Sequence, residues 1–180
     1  GEFGISFYSQ PIEADFGSDG GKYGFTEKEA FSVFLEGIRK FAKFSSTKVV
    51  VKSHPRENPE NLKKIAYENR NIPIVFADDS LDSREIALVC DINSTPFSTI
   101  AYESIAMGNL AVAIQPKISE NILKELYTHN FRGYIPILKT PEEVFEEVYK
   151  IKFNSAYLKE RERKIGEIKI DGQATQKVKN

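Results

Sequence analysis

Val49-Val50-Val51-Lys52-Ser53-His54-Pro55 is the stretch whose reading decides the fold. Three consecutive β-branched residues favour an extended backbone, and a short unbroken apolar run reads as a strand buried on both faces, as in a parallel sheet. Pro55 ends the run, because proline has no N–H for the ladder, and it holds His54 extended. A lysine, a hydroxyl and an imidazole are thereby placed at the carboxyl end of a strand read as central. In open α/β sheets that edge is where ligands bind.

Upstream, Ile5–Ser9 reads as the first strand, running to Gln10-Pro11, while Gly1-Glu2-Phe3 is set aside. Gly17, Gly20, Gly21 and Gly24 fall among acidic and polar residues, which predicts a mobile loop over residues 12–24 with no element of its own. Function and disorder account equally well for its length. Thr26 and Glu29 form a capping box, and Phe31, Phe34, Leu35, Ile38, Phe41 and Ala42 recur at helical spacing as a core-facing stripe. Downstream, Asn58-Pro59-Glu60 supplies an N-cap and a proline at the first helical position, with Leu62, Ile65 and Ala66 as the buried face. Ile72–Phe76 is a third strand, and Pro73 suggests that it lies at an edge.

Asp78-Asp79-Ser80 reads as a polar turn capping a helix through Leu81–Ala87, in preference to a metal or acid/base pair. Leu88–Ile92 is the predicted fourth strand, followed by a hydroxyl-rich turn, Asn93–Thr99, and a helix that Gly108 closes. Leu110–Ile114 is a fifth strand ending at Gln115-Pro116. A helix near Glu120–Tyr127, a sixth strand at Tyr134–Leu138, a helix begun by Thr140-Pro141 and a tail over 165–180 complete the chain. Strands alternating with helices predict an α/β fold, a Rossmann-like three-layer sandwich with a mostly parallel six-stranded sheet, in one domain over 1–180.

Bulk properties narrow the function classes. A hydrophobic content of 41% against 28% charged residues belongs to a folded globular domain, and 180 residues suit one. A net charge of −1 argues against a nucleic-acid partner. Cys90, the one cysteine, sits in an apolar run and reads as a small core residue in a reducing compartment. No stretch approaches the roughly 20 apolar residues of a membrane span, and no signal peptide is visible. Glycine-rich phosphate loops, His-Glu-x-x-His and paired-cysteine spacings are all absent from the sequence.

What remains is a set of polar turns. Gln10-Pro11, His54-Pro55 and Gln115-Pro116 each end a strand, which fits a crevice lined by several turns. Ser98-Thr99 falls at a helix N-terminus, where free N–H groups and the dipole favour an anion. Plain N-capping explains these hydroxyls too; their combination with Lys52 and His54 favours a phosphate site. Glu103, one turn into that helix, suits a pair of ribose hydroxyls or simply the surface. His129 reads as an exposed loop residue.

Lys52-Ser53-His54-Pro55, followed by Ser98-Thr99-x-x-x-Glu103 and Gly108, resembles the donor-binding C-terminal half of GT-B glycosyltransferases. The nearest look-alikes are bacterial capsule and lipopolysaccharide sialyltransferases and polysialyltransferases with HP and Ser/Thr motifs; CDP-glycerol glycerophosphotransferases are similar in layout. Ser9-Gln10-Pro11 and Asp171-Gly172-x-Ala174 look like features of the wider group, which includes UDP-N-acetylglucosamine 2-epimerases. The resemblance implies a nucleotide-sugar-binding domain in which His54 contacts the donor phosphate and aids leaving-group departure. Ser98 and Thr99 would bind the same phosphate, with Lys52, Ser94 and Thr95 grouped around it. Glu103 would take the ribose, with Gln10 and Gln115 beside it at the ribose and base. No metal or cofactor is expected, since histidine, hydroxyls and helix dipole would compensate the departing charge. The resemblance further implies a missing N-terminal, acceptor-binding half, in the same or another chain. It also implies a cytoplasmic location, peripheral to the inner membrane face where lipid-linked polymers are built. Two other readings stay open: a 2-epimerase-like fragment, and a non-catalytic module that binds a phosphate ligand or a protein.

Overall fold

In the computed structural model, which describes residues 1–69, 71–126, 131 and 133–168, six parallel strands form one sheet. They are β1 (Phe3–Tyr8), β2 (Thr47–Lys52), β3 (Ile74–Phe76), β4 (Ile92–Thr95), β5 (Leu110–Ile114) and β6 (Ile137–Leu138), in the order β3-β2-β1-β4-β5-β6. The chain lays strands outward from β1 to the edge at β3, then returns to the other flank of β1. The expected α/β, Rossmann-like sandwich is therefore present. The valine strand, however, lies second from the edge. Val49 and Val51 are fully buried, while Val50 is only partly covered, against a small cluster of Tyr8, Ile86, Ala87, Cys90 and Ile100.

The other face of the sheet carries the main core. Helix α2 (Glu27–Phe41) opens with both hydrogen bonds of the Thr26/Glu29 capping box, and its Phe31 and Phe34 rings lie 4.9 and 5.1 Å from Phe7. Such tilted ring packing adds to the gain from apolar burial. Helix α3 (Pro59–Glu68) is capped by Asn58, whose side chain accepts from the N–H of Glu60 at 3.1 Å. Helix α5 (Ile100–Ala106) closes at Gly108, whose φ of +87° suits glycine. After the short α6 (Glu120–Leu123), α7 (Pro141–Phe153) and α8 (Ser155–Gly166) finish the described chain. Gly37 lets α2 approach α7 closely, since a Cβ there would stand 2.5 Å from that of Val144. On α8, Arg161 is buried against Glu147, and its Nη2 donates to the carbonyl oxygens of Ala111 (3.2 Å) and Tyr134 (3.1 Å).

Several local expectations need correction. Residues 12–24 contain helix α1 (Ile12–Phe16) and a 3-10 turn (Gly21–Tyr23), with Ile12 and Tyr23 buried. Apolar anchors outweigh the glycine signal there. Gly20, at φ +76°, lies so close to Phe25 that a Cβ would meet its carbonyl oxygen at 1.8 Å. Phe3, set aside in the sequence, belongs to β1 and packs on Phe41 at 5.6 Å. Leu88 and Val89 end helix α4 (Ser83–Val89), exposed, and the fourth strand is instead Ile92–Thr95. Asp82 caps α4, accepting from the N–H of Arg84 at 2.7 Å, whereas Asp78 takes the N–H and O–H of Ser80. Helix α8 runs on to Gly166 with Ile165 in the core, inside the expected tail. Cys90 is buried, and burial, the chief cause, pushes its thiol up to about 11. His129 and Asp171-Gly172-x-Ala174 lie outside the described residues. Among the described residues, no helix is long and apolar enough to cross a membrane.

Candidate functional site

Strand order reverses between β1 and β4, and loops that leave the carboxyl ends on either side of such a reversal diverge and open a crevice. A cleft of about 480 Å³ lies there. Tyr8 and Ser9 form its floor at the end of β1, Lys52–Pro55 one wall, and Ser98, Thr99 and Glu103 the other. The β3–α4 connection, from Asp79 to Arg84, borders it as well. His54 and Ser98-Thr99 thus face one cavity although their strands do not touch, because β1 runs between them. A second cavity of about 290 Å³ shares Ser53, His54 and Asp79 with the cleft and is bounded by Phe76, Ala77 and Lys63.

His54 is held at its backbone and its ring. Its N–H donates to Oε2 of Glu57 at 2.7 Å, and its Nδ1 accepts from the N–H of Arg56 at 3.2 Å. With Nδ1 accepting, the neutral ring carries its proton on Nε2 and presents a donor there. Burial lowers the imidazole pKa first, the Arg56 charge lowers it further, and Asp15 opposes both. The neutral ring therefore predominates at neutral pH. Arg56 in turn makes two parallel 2.8 Å hydrogen bonds to Asp15 of α1, tying the turn to the segment that follows β1.

On the opposite wall the arrangement differs from the helix N-terminus expected from sequence. The N–H of Phe97 is taken by Oε1 of Gln10 (2.7 Å), that of Ser98 by Oγ1 of Thr95 (3.3 Å), and that of Ala101 by the Ser98 carbonyl (3.2 Å). The N–H of Ile100 reaches Oγ of Ser98 at 3.4 Å. Most of the donors expected for an anion are thus occupied, and this wall meets the cleft with the side chains of Ser98 and Thr99. Glu103 accepts from Nε of Arg84 at 2.7 Å. Lys52 lines the cleft while its Nζ donates to the Asp78 carbonyl at 2.7 Å. Two cations, Lys52 and Arg84, face three carboxylates, Asp79, Asp82 and Glu103, so selectivity for an anion must come from oriented donors rather than from net charge.

Four of the residues assigned to the donor stand behind the wall. Ser94 and Thr95 are fully buried because the strand reaches through them: Ser94 donates to the Ser6 carbonyl, and Thr95 serves the Ser98 N–H. Gln10 and Gln115 brace the loop from two sides, Gln10 through Phe97 and Gln115 by donating Nε2–H to the Pro96 carbonyl at 2.8 Å. Tyr23 stacks on Phe97 at 4.6 Å and closes this support. Arg84 and Glu57 were not singled out in the sequence. Arg84 looked like any charged residue of a first helical turn, and Glu57 like any acid in a turn.

No family model matches the chain, and no curated protein matches it in sequence. Solved structures do. The UDP-GlcNAc 2-epimerase of Neisseria meningitidis bound to UDP-GlcNAc superposes with a TM-score of 0.59 at 11% identity, over 89% of this chain and 39% of that one. The wall teichoic acid polymerase TagF gives 0.55 at 16% identity, over 98% and 42%. For the C-terminal CMP-Kdo binding domain of WaaA from Acinetobacter baumannii the values are 0.58 and 9%, over 92% and 90%. The chain has the fold of one GT-B half. It spans well under half of the epimerase and the polymerase, and nearly the whole of the WaaA domain. At such identities the likeness is one of fold.

Proposed function

We propose that this chain is the nucleotide-sugar donor-binding half of a GT-B-like glycosyltransferase of surface-polysaccharide synthesis. One observation carries the reading: His54, Ser98 and Thr99, drawn from strands on either side of β1, line one cleft at the reversal of the sheet. Nε2–H of His54 donates to the donor phosphate, and Ser98 and Thr99 meet that phosphate from the other wall. As the glycosidic bond breaks, charge accumulates on the departing phosphate, and donors already in place strengthen with it. Lys52 and Arg84 add positive charge, and Glu103, steadied by Arg84, accepts from the ribose. The reading calls for no metal or cofactor.

An acceptor and a general base within hydrogen-bond reach of it would come from a second Rossmann-like half, in the same or another chain. The names of the structural neighbours are consistent with this family of ligands: UDP-GlcNAc in the epimerase, CMP-Kdo in the WaaA domain. The epimerase likeness also supports a second reading, a 2-epimerase-like fragment that epimerises or hydrolyses. Conversion of UDP-GlcNAc to UDP-N-acetylmannosamine, or with water to N-acetylmannosamine and UDP, once a second half is supplied would favour it. A thermal-shift panel of CMP-, UDP-, CDP- and GDP-sugars tests the donor site. One nucleotide class should raise Tm saturably in the wild type and fail to do so in H54A and S98A. No response to any member would refute the reading.

A further inference from the structure

Glu57 is a half-buried carboxylate just beyond the cleft wall, and the donor-site reading leaves it without a task. Both of its oxygens are engaged by the protein. Oε1 accepts from the Ser9 hydroxyl at 2.6 Å, and Oε2 accepts from the His54 N–H at 2.7 Å. Its own N–H returns to the His54 carbonyl at 2.9 Å, so the turn closes on itself. The Ser9 N–H, in turn, donates to the Lys52 carbonyl at 2.9 Å. One side chain therefore bonds the first residue beyond β1 to the residue that carries the imidazole, across the gap between two strand ends.

We infer that Glu57 is a positioning residue, whose carboxylate fixes the His54 backbone against the end of β1 and so sets the direction in which the imidazole enters the cleft. The contact itself stands on geometry alone; its value for anion binding rests on the donor-site reading. Hydrogen bonds to an ionised acceptor are about twice as strong as neutral ones, which suits a hold on a turn exposed to solvent on its other side. Burial, the chief cause, raises the Glu57 pKa, the bonds from Ser9 and His54 oppose it, and Glu27 of α2 adds to it. Lys63 of α3 and Asp78 and Asp79 of the β3–α4 turn border the same cavity, and Arg56 beside it is paired with Asp15.

The chemistry separates positioning from mere packing. In E57Q the amide carbonyl still faces the His54 N–H, and the amide N–H₂ faces Ser9 Oγ, which turns to accept. In E57A the N–H of His54 loses its partner. NMR of the ligand-free protein reads this directly. The His54 amide proton should show one pH step that follows Glu57, its midpoint raised from the ordinary carboxylate value, besides the step of its own ring that the ring protons report; the Glu57 step alone should vanish in E57Q. Hydrogen exchange at the His54 amide should speed at least about tenfold in E57A, a little less in S9A, and stay close to wild type in E57Q. Affinity for inorganic diphosphate, followed at the His54 ring protons, should fall about tenfold in E57A and recover in E57Q. An unchanged His54 amide in E57A, or equal diphosphate affinity in wild type and E57A, would overturn the inference. If wild type binds no diphosphate while the titration and exchange of the His54 amide respond as described, the donor-site reading fails and the positioning role stands. E57Q keeps the test open should E57A not fold.

Discussion

Replacing Gly37 by alanine sets two known effects against each other where α2 crosses α7. Alanine gains about 1 kcal/mol over glycine in a helix interior. Against it, the new Cβ would lie 2.5 Å from Cβ and 2.6 Å from Cγ1 of Val144, and 2.8 Å from the Pro141 carbonyl oxygen. Carbon atoms prefer separations of about 3.5–4.0 Å, so the helices must part by roughly 1 Å. Val144 cannot turn aside, because a β-branched side chain in a helix has one favoured rotamer, and the Pro141 oxygen is backbone. Overpacking of this kind costs about 1–3 kcal/mol, and two rigid neighbours place it in the upper half of that range. The net loss is about 1–2 kcal/mol, a fall in Tm of about 2–8 °C for a domain of this size. Urea and thermal unfolding followed by circular dichroism measure it. In a double-mutant cycle, G37A/V144A should lose somewhat less than the two single changes summed, since removing the valine methyls frees one of the three contacts, that with Cγ1, while those with Cβ and the Pro141 oxygen stay. A Tm for G37A at or above that of wild type would refute the account, because propensity would then have outweighed the clash.

Other outcomes follow from the same contacts. Thr26→Ala removes the acceptor for the Glu29 N–H and should cost about 1 kcal/mol in urea unfolding, whereas T26S should restore nearly all of it. With Cys90 buried and its thiol pushed up to about 11, iodoacetamide at about pH 8 should label the native protein slowly and the urea-unfolded protein fast; fast native labelling would contradict the burial. R56A should raise the His54 pKa and D15N lower it, as read from ring-proton titration, because the Arg56 charge depresses that pKa and Asp15 lifts it. Since the folded pKa lies below the ordinary value, the His54 contribution to stability is present above that value and is lost as pH falls through the folded one. Wild type should therefore weaken relative to H54N on mild acidification.

How much of this was legible in the sequence depended on how far apart the interacting residues lie. The caps at Thr26/Glu29, Asn58/Pro59 and Thr140/Pro141, the stop at Gly108 and the Phe-rich stripe of α2 are short-range chemistry, and each is found where it was read. Alternation of strands and helices likewise yielded the parallel sheet, and His54, Ser98 and Thr99 line one cleft at its carboxyl edge. Tertiary contact decided the rest. The fourth strand begins at Ile92 rather than Leu88, because Asn93 can be buried only with the Ser6 hydroxyl on its Oδ1 and the Ala87 carbonyl taking its Nδ2–H, the first of these partners 87 residues away. That shift carries Ser94 and Thr95 into the sheet and out of the site. Gln10, Gln115 and Glu57 became supports through bonds to Phe97, Pro96, Ser9 and His54, partners that a local window cannot pair. A backbone's immediate preferences are written in neighbouring side chains, whereas the direction a polar group faces is decided by which distant donor or acceptor the packed sheet brings beside it.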